Sequence, residues 1–159
     1  MRTCLSALQR QRSLTVFSEG WGLYAEQLAE EAGLYADERS LLGAVSSALM
    51  RAVRLVVDTG IHAFGWSRER ALEFAVEHVP MPPEFMAAEI DRYIVMPGQA
   101  LAYLTGKLEI VRLREDASRR LGPAFSLPAF HAAVLDHGSL PIPALDRSIA
   151  GWLDRSRGM

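Results

Sequence analysis

Apolar residues recur along the chain at three- and four-residue intervals, and no stretch alternates apolar with polar between turn residues. The pattern therefore predicts helices and no sheet. The first periodic segment runs from Ser18, read as an N-cap, to a stop at Gly33. Trp21, Tyr24, Ala25 and Leu28 form its apolar stripe, with Glu19, Glu26 and Glu30 on the opposite side. Asp37 caps a second helix to about residue 64 that is apolar nearly all round, including Leu41, Leu42, Val45, Leu49, Val53 and Val57, and reads as the buried centre of the fold. Its polar positions make a narrow line of Ser47, Arg51, Arg54, Asp58 and His62. Ser67 caps a third helix ending near His78, and Pro83 suits the first turn of a fourth over residues 84–94. After the Pro97-Gly98 break, residues 99–120 read as a fifth helix, stopped by Gly122-Pro123. Pro128 opens a sixth over 129–136, and a last amphipathic helix spans 144–155 after a turn bracketed by Pro141 and Pro143. Six to seven helices without repeats or linkers predict one all-α domain over residues 1–159, with residues 1–16 as an irregular lead-in.

Composition narrows the class of partner. The 159 residues are 50% hydrophobic and 23% charged, with a net charge of −2, which fits a globular chain and gives no electrostatic footprint for nucleic acid. A single cysteine, Cys4, fits a reducing compartment, and no run approaches the roughly 18 apolar residues of a membrane span. The expectation is a soluble cytoplasmic protein with no membrane span.

Three constellations carry candidate chemistry. Glu19 and Glu26 lie seven residues apart, on one face of a helix that also contains Gly20 and Gly22; they read either as a solvated acidic face or as metal-site carboxylates. Arg54, Asp58 and His62 share one face at four-residue spacing. They read either as a surface salt-bridged stripe or as a polar seam in which Arg54 orients Asp58 and His62 faces a substrate. Arg92 and Tyr93, followed by Pro97-Gly98-Gln99 and Tyr103, read either as a packed helix junction or as a carboxylate or oxyanion site. The histidines His62, His78, His131 and His137 show no His-Glu-x-x-His spacing, so no complete zinc site is legible.

Five blocks in order carry a resemblance. They are Phe17-Ser18-Glu19-Gly20-Trp21-Gly22-Leu23-Tyr24-Ala25-Glu26, Arg54-Leu55-Val56-Val57-Asp58-Thr59-Gly60-Ile61-His62 with Trp66, Glu89-Ile90-Asp91-Arg92-Tyr93, Pro97-Gly98-Gln99-Ala100-Leu101-Ala102-Tyr103, and Phe130-His131 with Gly138-Ser139-Leu140-Pro141. Together they resemble the C-terminal part of the bacterial domain-of-unknown-function family eight-eight-five, a family similar to gluzincin zinc metallopeptidases, over residues 17–155. The resemblance implies Glu19 as a zinc ligand, with Glu26 supporting its orientation. It implies His62, Tyr93 and Tyr103 as catalytic residues and Arg54, Asp58, Arg92 and Gln99 as substrate-binding residues. It further implies a fold that is the C-terminal portion of a larger gluzincin-like peptidase.

The resemblance also places a His-Glu-x-x-Pro-Gly-His block upstream of Glu19, and this sequence does not contain it. Zinc and a peptide substrate are therefore expected of the complete protein, and tight zinc binding is not expected of this chain alone. Three readings follow: the C-terminal part of a peptidase, inactive alone; half of a split peptidase completed by a missing N-terminal segment or partner chain; or a non-catalytic helical interaction module.

Overall fold

The computed structural model describes residues 13–157, which form seven α-helices and no strand. These are α1 (Thr15–Glu31), α2 (Glu38–Phe64), α3 (Arg68–His78), α4 (Pro83–Val95), α5 (Ala102–Leu121), α6 (Leu127–Leu135) and α7 (Ile142–Arg157), with a 3₁₀ turn at Gly122–Ala124. The all-α class expected from the sequence is the observed one. Most of the expected lead-in, with Cys4, lies outside the described residues.

Local chemistry sets most boundaries. The Asp37 side chain accepts the Ser40 amide at 2.7 Å, and Gly65 closes α2 with φ +66°. Ser67 and Ser126 cap α3 and α6 in the same way. The end of α1 is a Schellman motif: Gly33, with φ +65°, donates to Glu30 O, and Leu34 donates to Ala29 O.

Four expected boundaries move. Ser18 is no N-cap, because the Phe17 and Ser18 amides already bond to Leu14 O and the helix starts at Thr15. Gln99 is outside α5, since residues 97–101 form consecutive three-residue turns, with Leu101 N bonding Gly98 O and Ala102 N bonding Gln99 O. Ser126 opens α6 earlier than Pro128 suggests, since Pro128 is tolerated in the first turn. Pro143 likewise lies inside the first turn of α7. A fifth expectation fails by length and composition: α2 is long and apolar enough to cross a membrane.

The described residues divide into two compact units, residues 22–104 and residues 13–21 with 105–157. In the first, α2, α3 and α4 pack around Met50, Val53, Val57, Ala71, Ala75, Met86, Ile90 and Tyr93. Burying each of the large side chains contributes about 1.5–3 kcal/mol before entropy is counted. The expectation that α2 is buried throughout is corrected here. Its buried residues begin at Met50, while Leu42, Val45, Leu49 and Val56 are exposed because neither α3 nor α4 covers that side.

In the second unit, Ile110, Leu113, Phe130, Val134, Leu145, Ile149 and Leu153 form the core. Ion pairs of Arg112 with Asp146 and Arg120 with Asp154 join α5 to α7. Gly20 and Gly106 mark a backbone crossing of α1 and α5. A Cβ on Gly20 would sit 2.5 Å from Gly106, whereas one on Gly22 would meet nothing within 4 Å. Only one of the two glycines beside Trp21 answers to close helix approach.

Candidate functional site

From the α2 line, Arg54, Asp58 and His62 reach across to α4 and the turn after it. Arg54 is 6% exposed although charged, and burial of a guanidinium demands partners. Its Nη2 lies 2.7 Å from Glu89 Oε2, and its Nε donates to the Tyr93 hydroxyl at 2.8 Å. Tyr93 in turn donates to Glu89 Oε2 at 2.9 Å, closing a three-membered ring of hydrogen bonds. The Arg54 guanidinium carbon also rests 4.7 Å from the Tyr103 ring centroid.

Arg92 joins from the outer side. Its Nη2 donates to Glu89 Oε2 at 2.9 Å, and its Nη1 donates to Gln99 Oε1. Gln99 Nε2 reaches Tyr103 Oη at 3.5 Å, the outer limit of a hydrogen bond. Two guanidinium groups therefore share one carboxylate. Burial acts to raise the Glu89 carboxyl, but the bonds from Arg92 and Tyr93 and the charge of Arg54 outweigh it and hold it at about 2. Burial pushes the Tyr93 phenol up to about 12 against the opposing charge of Arg54, so it stays a donor.

Asp58 and His62 extend the same seam. Asp58, 2% exposed, accepts the Gly98 amide at 3.1 Å on both oxygens. It thereby fixes the turn in which Gly98 takes φ +77°, a conformation that favours glycine. His62 is exposed, and its Nε2 lies 3.0 Å from Tyr93 O, so the Nε2–H tautomer donates to that carbonyl. Arg54, Asp58 and His62 thus share a face as their spacing predicts, yet the bonds of each run to α4 and its following turn. Arg54 orients Glu89 and Tyr93 where the sequence reading had it orient Asp58.

The sequence reading passed over Glu89, the centre of the network. Its signal was present: Glu89 stands three residues before Arg92 and four before Tyr93, the helical spacings at which side chains meet. Arg68 and Asp91 form a further bidentate pair between α3 and α4 at 2.6 and 2.9 Å.

Glu19 and Glu26 are half-buried on α1, so neither is a fully solvated carboxylate. Glu26 lies 3.5 Å from Arg51 of α2, and Arg51 Nη1 donates to Ser47 O. Among the described residues no group of three or more His, Cys, Asp or Glu side chains is placed to hold a metal ion. The donor set of a zinc centre is therefore not met within them, since a catalytic zinc takes three protein ligands.

Comparison with known proteins agrees with the motif order. The crystal structure of the putative lipoprotein from Colwellia psychrerythraea matches with a TM-score of 0.91 and 45% sequence identity, covering 93% of this chain and 26% of that one. The chain thus spans about a quarter of that relative's length. No curated protein matches. Residues 2–149 match the family described as bacterial protein of unknown function (DUF885). With nearly its whole length matched, the chain belongs to the DUF885 family.

Proposed function

We propose that this chain is a substrate-binding section of a peptide-bond-hydrolysing protein, the C-terminal part in the family's arrangement, and that the Arg92 side of the network receives a peptide carboxylate. The observation that carries the reading is that Arg54 and Arg92 converge on the single Glu89 carboxylate. Arg92 keeps 30% of its side chain exposed, against 8% for Arg54, so it is the guanidinium an incoming anion reaches. A carboxylate would displace Gln99 from Arg92 Nη1 and bond there, while Arg92 Nε and Nη2 stay on Glu89, which Arg54 and Tyr93 hold in place. Gln99 and Tyr103, beside it, offer an amide and a hydroxyl to the neighbouring peptide group. Asp58 acts by fixing the Pro97-Gly98 turn that presents Gln99, and His62 by anchoring the end of α4.

Zinc and hydrolysis enter this reading through the family resemblance, with Glu19 as one ligand and Glu26 behind it. Among the described residues no group of side chains supplies the full donor set for the metal. A non-catalytic binding module is the second reading, and a split peptidase, in which a partner would supply further ligands, is the third. The lipoprotein description of the Colwellia relative runs against the cytoplasmic location expected from cysteine usage.

The test is calorimetric titration with an N-acetyl dipeptide bearing a free C-terminus and with its C-terminal amide. The acid should bind and the amide should bind at least about tenfold more weakly, the loss expected for one charged hydrogen-bonded contact. Arg92→Gln should erase the difference. Equal affinity for acid and amide, or a preference untouched by Arg92→Gln, overturns the carboxylate reading. With added zinc the chain alone should hydrolyse no peptide, and stoichiometric zinc with turnover would replace the inactive-section and module readings together.

A further inference from the structure

Along α2 the eleven residues from Ser40 to Met50 include no charged side chain, and Leu42, Val45 and Leu49 within them are 65%, 54% and 41% exposed. Val56, one further step along the same side, is 42% exposed. The spacings of three, four and seven residues keep all four on one stripe. A helix face left to water ordinarily carries charges, and a continuous apolar stripe of this length marks a contact surface. The flanking residues Gly43, Ser46 and Ala52 are small, so a second backbone can come close, and a Cβ on Gly43 would meet nothing within 4 Å.

Three occupants have the right apolarity: a membrane, a second copy, or further protein. A membrane-spanning α2 would have to take Arg54 and Asp58 with it, and both are bonded to α4 and the Gly98 turn. The decisive observation concerns length. In the Colwellia relative, 45% identical over the shared segment, about three quarters of the chain lies outside the part this chain matches. We propose that the stripe Leu42–Val45–Leu49–Val56 docks an uncharged apolar helix face contributed by that further portion of the family's chains. The inference rests on family membership and not on the hydrolytic reading, and it is tested by association and melting temperature without any activity.

The probe is the portion of the Colwellia protein outside the matched segment, co-expressed with this chain and, separately, fused to it in place of its own matched segment. The double variant Leu42→Glu/Leu49→Glu is compared with the wild-type chain. The wild type should co-elute with the probe and the variant should not, with at least a tenfold loss of affinity. In the fusion the variant should lower the melting temperature by several degrees, while in this chain alone it should leave melting temperature and helical content unchanged. An equal fall in the isolated chain would make the stripe part of its own core and overturn the proposal. So would a wild-type dimer abolished by the variant, which assigns the face to a second copy, or binding to anionic phosphatidylglycerol vesicles lost in the variant, which assigns it to a membrane. Failure of both wild-type arrangements to yield a soluble complex counts against it equally.

Discussion

The two halves of α2 reverse the usual sorting of side chains. In residues 38–49 leucines and a valine face water, whereas in residues 50–64 an arginine and an aspartate are buried. Nothing in residue type explains this, because the second half is as rich in valine and leucine as the first. The difference is in what the neighbours offer. Glu89, the Tyr93 hydroxyl and the Gly98 amide stand opposite the second half and supply each buried polar group with a partner. Opposite the first half, α3 and α4 offer no cover. Burial on this helix follows the availability of partners, and apolarity alone predicts it only where a partner exists.

The largest effect should come from breaking the buried half. Arg54→Ala leaves Glu89 and the Tyr93 hydroxyl short of a buried partner and should cost about 3 kcal/mol in denaturant unfolding, in the range for severing a buried ion pair. A loss below about 1 kcal/mol would mean that the pair is no more than a surface contact. Asp58→Ala removes the carboxylate that accepts the Gly98 amide and should cost about 2 kcal/mol, with Asp58→Asn recovering part of it.

The glycines of α1 repeat the lesson at smaller scale. Gly20→Ala should destabilise by about 1–2 kcal/mol, because its Cβ collides with the Gly106 backbone. Gly22→Ala, two residues on, should stabilise by up to about 1 kcal/mol, since only the helix propensity changes there. The same change of stability at both sites would remove the helix crossing from consideration.

Protonation probes the buried half without altering its volume. The Glu89 carboxyl falls from an ordinary value of 4.5 to about 2 in the folded protein. Its contribution is therefore fully present above about pH 4.5 and lost as pH falls towards 2. Glu89→Gln should flatten the acid limb of the stability curve in that window, and an unchanged limb would show that other carboxylates govern it. The smallest effect belongs to the exposed half: Leu49→Gln in this chain alone should stay within about 0.5 kcal/mol of the wild type.

Much of this protein could be read from its sequence. Asp37, Gly65, Ser67 and Pro83 set helix ends because capping chemistry acts within a few residues, and short-range signals survive without a fold. The polar line Arg54, Asp58 and His62 was equally legible, because a helix places every fourth residue on one face. Glu89 was legible only in part: its spacing to Arg92 and Tyr93 is local, but its meeting with Arg54, thirty-five residues away, leaves no mark in local spacing. Ser18 misled for the opposite reason: its side chain is a good cap, but Leu14 O had already taken up the first amides and its own hydroxyl pairs with Ser13.

By itself, the sequence determined the all-α class, most helix ends and the family, because period, caps and motif order are properties of neighbouring residues. Tertiary structure alone decided which side of α2 is covered, that Gly20 and not Gly22 is needed for a helix crossing, and that two arginines converge on one glutamate. Each of those outcomes depends on a group brought from far along the chain, and the free energy of a buried charge or an exposed leucine is set by whether that group arrives.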